Sequence, residues 1–335
     1  MNPITNSSDF LFIYEAIQCN PNGDPDQENK PRMDYDTKTN LVTDTRVKRF
    51  IRDYLKSKNE DEIIFVDMEG NSKVSVDNKL KAVVSRTFAN ENELKNIFVD
   101  NEALNKYHEI IKGAKDFNEV WSKITAKNFA NKEINYELLS YLIKEKFLDI
   151  RMFGSAFAVG GFTKAYTGPI QMNWGYSFNE VELMDSNSIV TIMNDDSSTF
   201  GKDYRVHYSL IGFNGTINAP AAKSTQLSDE DVEVFRNALW ESIPASPTRS
   251  KLNQYPKLYL EIIYKEGISN GQFGDLRNFV TVEPVDGKTK KQVRRFRDLK
   301  VDLSDLQRLI EQDKNGSQII DRVILKTSAD LDFSI

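Results

Sequence analysis

Apolar and polar positions alternate along FLFIYEAIQ (10–18), and its aromatic and β-branched side chains suit a pleated surface, so the stretch predicts a strand. The period then changes. After CNPNGDPDQENKPR, a loop dense in turn-forming Pro, Asn, Gly and Asp, Val47, Phe50, Ile51, Tyr54 and Leu55 recur at i, i+3, i+4. That spacing predicts a helix from about Asp44 to Lys58, capped by Thr43 or Asp44. DEIIFVD (61–67) predicts a second strand. Strand, loop, helix, strand is the opening of a ferredoxin-like or RNA-recognition-motif fold.

From about 75 to 148 the pattern is helical and polar, with NEALNKYHEIIKG and NYELLSYLIKEKFLDI the clearest segments, and reads as a helical insertion ending in a core helix. Gly154, Gly160, Gly161 and Gly168 then read as a helix stop followed by loops. Residues 170–218 are β-rich, through IQMNWGYSF, SIVTIM and DYRVHYSLIGF. A capped helix is expected at SDEDVEVFRNALWESI (228–243), a strand at KLYLEIIYK (257–265), and a last helix and strand at SDLQRLIEQ and QIIDRVILKT. With no internal repeat and no low-complexity linker, the chain reads as one α+β core with large insertions.

Size and composition narrow the class. At 335 residues, 39% hydrophobic and 28% charged, the chain can bury a full core as one elaborate domain or two. No run approaches the roughly 18 apolar residues of a membrane span, and the N-terminus lacks the basic region of a signal peptide. The single cysteine, Cys19, excludes an intramolecular disulfide and any multi-cysteine metal site, so a reducing cytoplasm is the expected location.

Net charge conceals a pattern. The chain totals −6, yet residues 30–58 carry +5 and KTKKQVRRFRDLK (288–300) carries +6, leaving −17 on the rest. Two basic patches on an acidic body suggest a localised anionic partner. On the predicted helix, Lys48 and Arg52 share one line, with Arg49 and Lys56 nearby and Asp53 the one acid expected to offset them. This is either a plain solvated face or a phosphate contact. The 288–300 cluster is either solvated or in contact with a nucleic acid.

The catalytic inventory is thin. Asp24 and Asp26 lie in the first loop, but Asp24-Pro25-Asp26 lacks the register of a calcium loop, and turn chemistry explains the segment more cheaply than a metal. The glycines at 154–168 match neither phosphate-loop pattern. His108 and His207 have no visible second ligand or triad partner, so both read as structural and neither metal nor cofactor is expected. IMNDDSSTFGKDYRVHY (192–208) reads as a long β-arm with a polar tip, and IPASPTRSKLNQYPK (243–257) as a Pro/Ser loop bearing Arg249 and Lys251. Either is a surface loop by default; the alternative reading groups them with the basic helix as a groove that tracks a backbone, with Met193 or Phe200 wedging between bases.

NPNGDPD, PRMD, LVTDTRVKRFIR, DIRMFG, TGPIQ and TFGKDYRVHYSL occur in this order. Together they resemble the backbone subunit of type I CRISPR surveillance complexes (Cascade), in the RAMP superfamily, and most closely subtypes I-B and I-C. The likeness runs from about 10 to 265. It implies an α+β fold with a modified RNA-recognition-motif palm (1–70 and parts of 149–335), a helical finger (71–148) and a β-rich thumb (about 170–220). It implies a non-catalytic subunit that stacks with further copies of itself along a CRISPR guide RNA, beside other Cascade subunits, and leaves the guide free to pair with target DNA. Arg46, Lys48, Arg49 and Arg52 are the implied RNA contacts, with Asn22, Phe200 and Lys202 as further candidates. Arg249 and Lys251 join them from the Pro/Ser loop. A type III member of the superfamily would instead cleave RNA with a first-loop aspartate; here NPNGDPD matches the type I pattern, so Asp24 and Asp26 are read as loop-shaping. A protein scaffold that binds an acidic partner is the other rival.

Overall fold

A strand that is apolar on both faces needs cover on both sides. The computed structural model describes residues 2–58, 64–66, 68–69, 72–73, 76–88, 91–98, 101–126, 129–159, 162–184, 188–194 and 197–334. Its main elements are β1 (Ser8–Ile17), α1 (Asp44–Lys58), β2 (Gly175–Ser177), β3 (Tyr208–Ile217), α2 (Asp229–Ser242), β4 (Gln254–Tyr264), α3 (Ser304–Asn315) and β5 (Ile320–Thr327). The principal sheet is antiparallel in the order β5-β4-β1-β3-β2, continuing through Thr39–Val42 to Met33–Asp34. Helices and one large antiparallel sheet make the mixed fold expected from the pattern.

The chain forms two compact units. The sheet belongs to the second, residues 5–54, 170–219 and 233–335. Alternation sorts β1 between two layers. Phe10, Phe12 and Tyr14 share one face, where the Phe10 ring meets Phe235 of α2 at 5.7 Å and Arg46 of α1 lies within electrostatic reach of the Tyr14 hydroxyl. Leu11 and Ile13 share the other, packed with Leu258, Leu260, Phe296 and Leu306. Gly215 of β3 is needed for this closeness: a Cβ there would sit 2.2 Å from the Phe10 ring.

The first unit, residues 1–4, 55–169 and 220–232, is mostly helical. Its core gathers Leu80, Val84, Phe98, Tyr107, Ile124, Leu138, Leu142 and Phe147. Arg151 makes a bidentate pair with Asp231 at 2.7 Å for both bonds, and Asp231 also exchanges cap bonds with Ser228.

Three expectations change. Of the predicted strand 61–67, residues 64–66 form no strand, and the others lie outside the described residues. Ile64 and Phe65 are buried, and the amides of Phe65 and Val66 donate to the buried Asp149 carboxylate at 2.7 and 3.1 Å. The place beside β3 goes instead to β2, far along the chain. Second, the glycine-bearing stretch after Phe153 is a hairpin, paired from Gly154↔Thr167 to Val159↔Phe162, and not a run of loops. Gly154 does stop the preceding helix: its φ is +73°, and a Cβ would lie 2.2 Å from the Tyr166 carbonyl oxygen. Third, the core helix breaks, because Phe129–Glu145 ends and Phe147 opens Leu148–Phe153 with extended φ −108°, ψ 90°.

Candidate nucleic-acid interface

The start of α1 is built by two side chains. Thr43 Oγ1 accepts the Arg46 amide at 3.2 Å, while Asn22 Oδ1 accepts the Thr43 amide at 2.8 Å and its hydroxyl at 2.9 Å. Asn22 thus fixes the cap from the first loop, and Asp44 adds a negative charge where the helix dipole favours one.

The cations of α1 are not equivalent. Lys48 pairs with Asp44 at 3.0 Å and Arg49 with Asp53 at 2.6 Å, both at i, i+4. Asp53 is therefore not the only acid that offsets this helix; Asp44, at its first position, is the second. Such pairs contribute only about 0.3–0.5 kcal/mol each, so a polyanion can displace them. Arg52 is half-buried on the same helix.

Arg46 differs. Its guanidinium lies over the Phe50 ring at 4.0 Å, burial holds its pKa below the usual arginine value, and its buried Nε has no hydrogen-bond partner. Among the described residues no carboxylate pairs with it.

The loop carrying Lys251 docks beside Arg46. Backbone bonds run from Ile17 N to Asn253 O (3.0 Å), Asn20 N to Ser250 O (2.9 Å) and Val206 N to Cys19 O (2.9 Å). Lys251 Nζ donates to the Asn20 carbonyl at 2.5 Å. Burial, with repulsion from Arg46 second, pushes the Lys251 pKa down to about 8. Burial pushes the neighbouring Cys19 thiol up to about 12, so it brings no negative charge. Tyr14 Oη and Asn20 Oδ1 are likewise buried without partners. A buried polar atom left empty costs about 1–3 kcal/mol, and here several surround two uncompensated cations.

Arg205 completes the junction. It donates to Gln18 O at 2.9 Å and Arg249 O at 3.2 Å and pairs with Asp203 at 2.7 Å. Arg249 is 59% exposed and reaches Asp203 at 3.5 Å. Leu252 and Tyr255, further along the chain, are exposed. Sequence reading missed Arg205 and Tyr255; an aromatic four residues past Lys251 was the available signal for Tyr255, while nothing local marked Arg205.

The β-arm is a hairpin, Ser188–Asn194 with Ser197–Lys202, in which Phe200 stands opposite Val190. Lys202 pairs with Glu28 at 3.0 Å, and Tyr204 donates to the same carboxylate at 2.8 Å, which together hold Glu28 below the usual carboxylate range. The arm's base is thereby tied to the first loop. So the structure brings Arg46 and Lys251 to one junction, while Arg249 on the same loop reaches Asp203 and Asn22 caps the start of α1. Lys48, Arg49 and Arg52 continue along α1, and Lys202 is held by Glu28.

Residues 6–304 match the family model described as CRISPR-associated protein Cas7. The chain belongs to the Cas7 family. A Cas7 protein of Haloferax volcanii is 29% identical over 316 residues, covering 92% of this chain and 83% of that one. Among solved structures, a chain of a "CRISPR RNA-guided surveillance complex, pre-nicking" aligns with a TM-score of 0.53 at 12% identity, covering 98% of this chain and 94% of that chain, a likeness of fold alone. In this Cas7 chain the first-loop aspartates do local work. Asp24 accepts the Asp26 amide at 3.2 Å and pairs with Arg32 at 3.3 Å, while Asp26 is exposed. Among the described residues, no three His, Cys, Asp or Glu side chains gather as metal ligands. No described helix is long and apolar enough to cross a membrane.

Proposed function

We propose that this Cas7-family chain is a non-catalytic subunit that polymerises along a CRISPR guide RNA, forms the backbone of a type I Cascade complex, and presents the guide for pairing with target DNA. The observation that carries the reading is the pair Arg46 and Lys251, two half-buried cations close enough to repel and, among the described residues, without a carboxylate paired to either. A phosphate placed there supplies the missing charge and accepts from both. Phosphate recognition reads no bases, which is what a subunit needs if the guide's sequence varies. Lys48, Arg49 and Arg52 extend the track along α1, Arg249 and Lys202 flank it, Asn22 shapes the loop, and Phe200 on the arm separates bases.

The strand order β4-β1-β3-β2, with α1 and α2 on one face, supports an RNA-recognition-motif-like palm. The helices of 71–148 then act as a finger and about 170–220 as a thumb, in the arrangement that subtypes I-B and I-C resemble. Sequencing the nucleic acid extracted from the purified protein tests the reading. Short RNAs flanked by repeat sequence are the expected result. Nucleic-acid-free protein, or Mg²⁺-dependent cleavage of complementary RNA at regular spacing, overturns it.

A further inference from the structure

The second basic patch has an architecture of its own. Thr281–Pro284 pairs with Leu299–Asp302, and residues 285–298 between them form a knuckle. Val293, Phe296 and Leu299 anchor it in the apolar layer that holds Leu11 and Ile13, the sheet face opposite α1. Its centre is Asp298, 3% exposed. The carboxylate accepts from Lys288 Nζ (2.5 Å), the Arg294 amide (3.0 Å) and Arg295 Nε (3.3 Å). Burial opposes its charge, but these bonds prevail and hold its pKa at about 2.

Asp298 is therefore turned inward while most of the cations are turned outward, and Asp286 is the one acid of the segment left exposed. Lys290 pairs with Glu180 at 2.8 Å. Lys291, Arg294 and Arg297 are exposed, and among the described residues none of them pairs with a carboxylate. Arg294 is braced by bonds to the carbonyls of Lys291 (2.7 Å) and Val293 (2.9 Å), so its guanidinium is held in place. At the margin, Glu182 is held below the usual carboxylate range by Lys38 first and by Lys291 and Arg294 beyond it. A solvated face normally intersperses both signs; here Lys290, Lys291, Arg294, Arg295 and Arg297 are exposed against a single exposed acid, Asp286.

We propose that the 285–298 knuckle is a second nucleic-acid backbone site, separate from the Arg46–Lys251 junction, which takes a DNA strand by its phosphates without reading bases. Each phosphate contact releases counterions, so the site has a measurable salt signature. The site stands on its own charge arrangement and does not depend on what the α1 junction holds.

The test uses the full-length protein as purified, with any RNA it carries, against labelled 30-nucleotide single-stranded DNA and 30-base-pair duplex unrelated to that RNA. Lys291→Gln/Arg294→Gln/Arg297→Gln is expected to weaken binding roughly tenfold or more and to lower the salt slope by roughly 2–3, with co-purified RNA unchanged. Loss on one probe alone identifies the strand form and supports the proposal equally. Asp298→Asn adds positive charge but releases the knuckle, so it too is expected to weaken binding. Unchanged DNA affinity in the triple variant overturns the proposal, whether or not an acidic protein is captured instead. So does loss of the co-purified RNA, or tighter DNA binding by Asp298→Asn.

Discussion

The two basic regions carry similar surplus charge and dispose of it in opposite ways. In α1 the counterions lie on the helix surface beside the cations, as Asp44 and Asp53 at i, i+4. In the knuckle the Asp298 carboxylate sits beneath them, buried and three times bonded, with Asp286 the one acid exposed at the surface. A surface pair can be exchanged for a phosphate at little cost. A buried carboxylate cannot leave, so it acts as a framework, and among the described residues Lys291, Arg294 and Arg297 above it have no carboxylate pair. Charge counts along a sequence give the surplus but not the depth at which it is neutralised.

The comparison breaks most visibly at Asp298. Asp298→Ala is expected to lower stability by about 2–3 kcal/mol, from lost charge-assisted hydrogen bonds, read as a drop in the urea midpoint. Its pKa of about 2 lies below the ordinary 3.8, so its contribution is intact above pH 3.8 and fades as pH falls toward 2. The stability gap between Asp298→Asn and the parent should therefore close over that window; a gap that persists at pH 2 contradicts the assignment.

Lys251 gives the next effect. With its pKa at about 8 in the free protein, a bound phosphate must raise it. RNA affinity is then full below pH 8 and falls above it by up to about tenfold per pH unit. Lys251→Arg should flatten that profile in a binding titration from pH 7 to 9.5, and an unaltered profile removes Lys251 from the site. The smallest effect belongs to Asp53→Ala, expected to cost about 0.3–0.5 kcal/mol while leaving RNA affinity equal or slightly higher. A loss of 2 kcal/mol or more there would make the α1 pair as structural as Asp298 and erase the contrast.

What was legible in the sequence follows from where the information sits. α1 spans the residues expected, because its apolar stripe and Thr43 cap are local. The apolar run at 61–67 could not be told from a buried non-strand segment by period alone; Asp149, far along the chain, decides it. The hairpin after Phe153 was hidden because its glycines were read as breakers and neither Ser155–Val159 nor Phe162–Thr167 alternates in polarity, although the two segments pair as strands on either side of two of those glycines. Asn22, Arg46, Arg249 and Lys251 were each nameable as candidates, yet that Arg46 meets Lys251, and that Lys48 and Arg49 are already paired, depends on tertiary packing and on counterions a charge run does not reveal.

The central claim is that Arg46 and Lys251 grip a phosphate. The salt dependence of RNA binding, measured for the parent and for Arg46→Gln/Lys251→Gln on two unrelated single strands, tests it most directly. The account expects weaker binding to both strands and a log–log slope smaller by roughly 1.4, or about 0.7 per lost contact. An unchanged slope, or a loss confined to one of the two sequences, would contradict it.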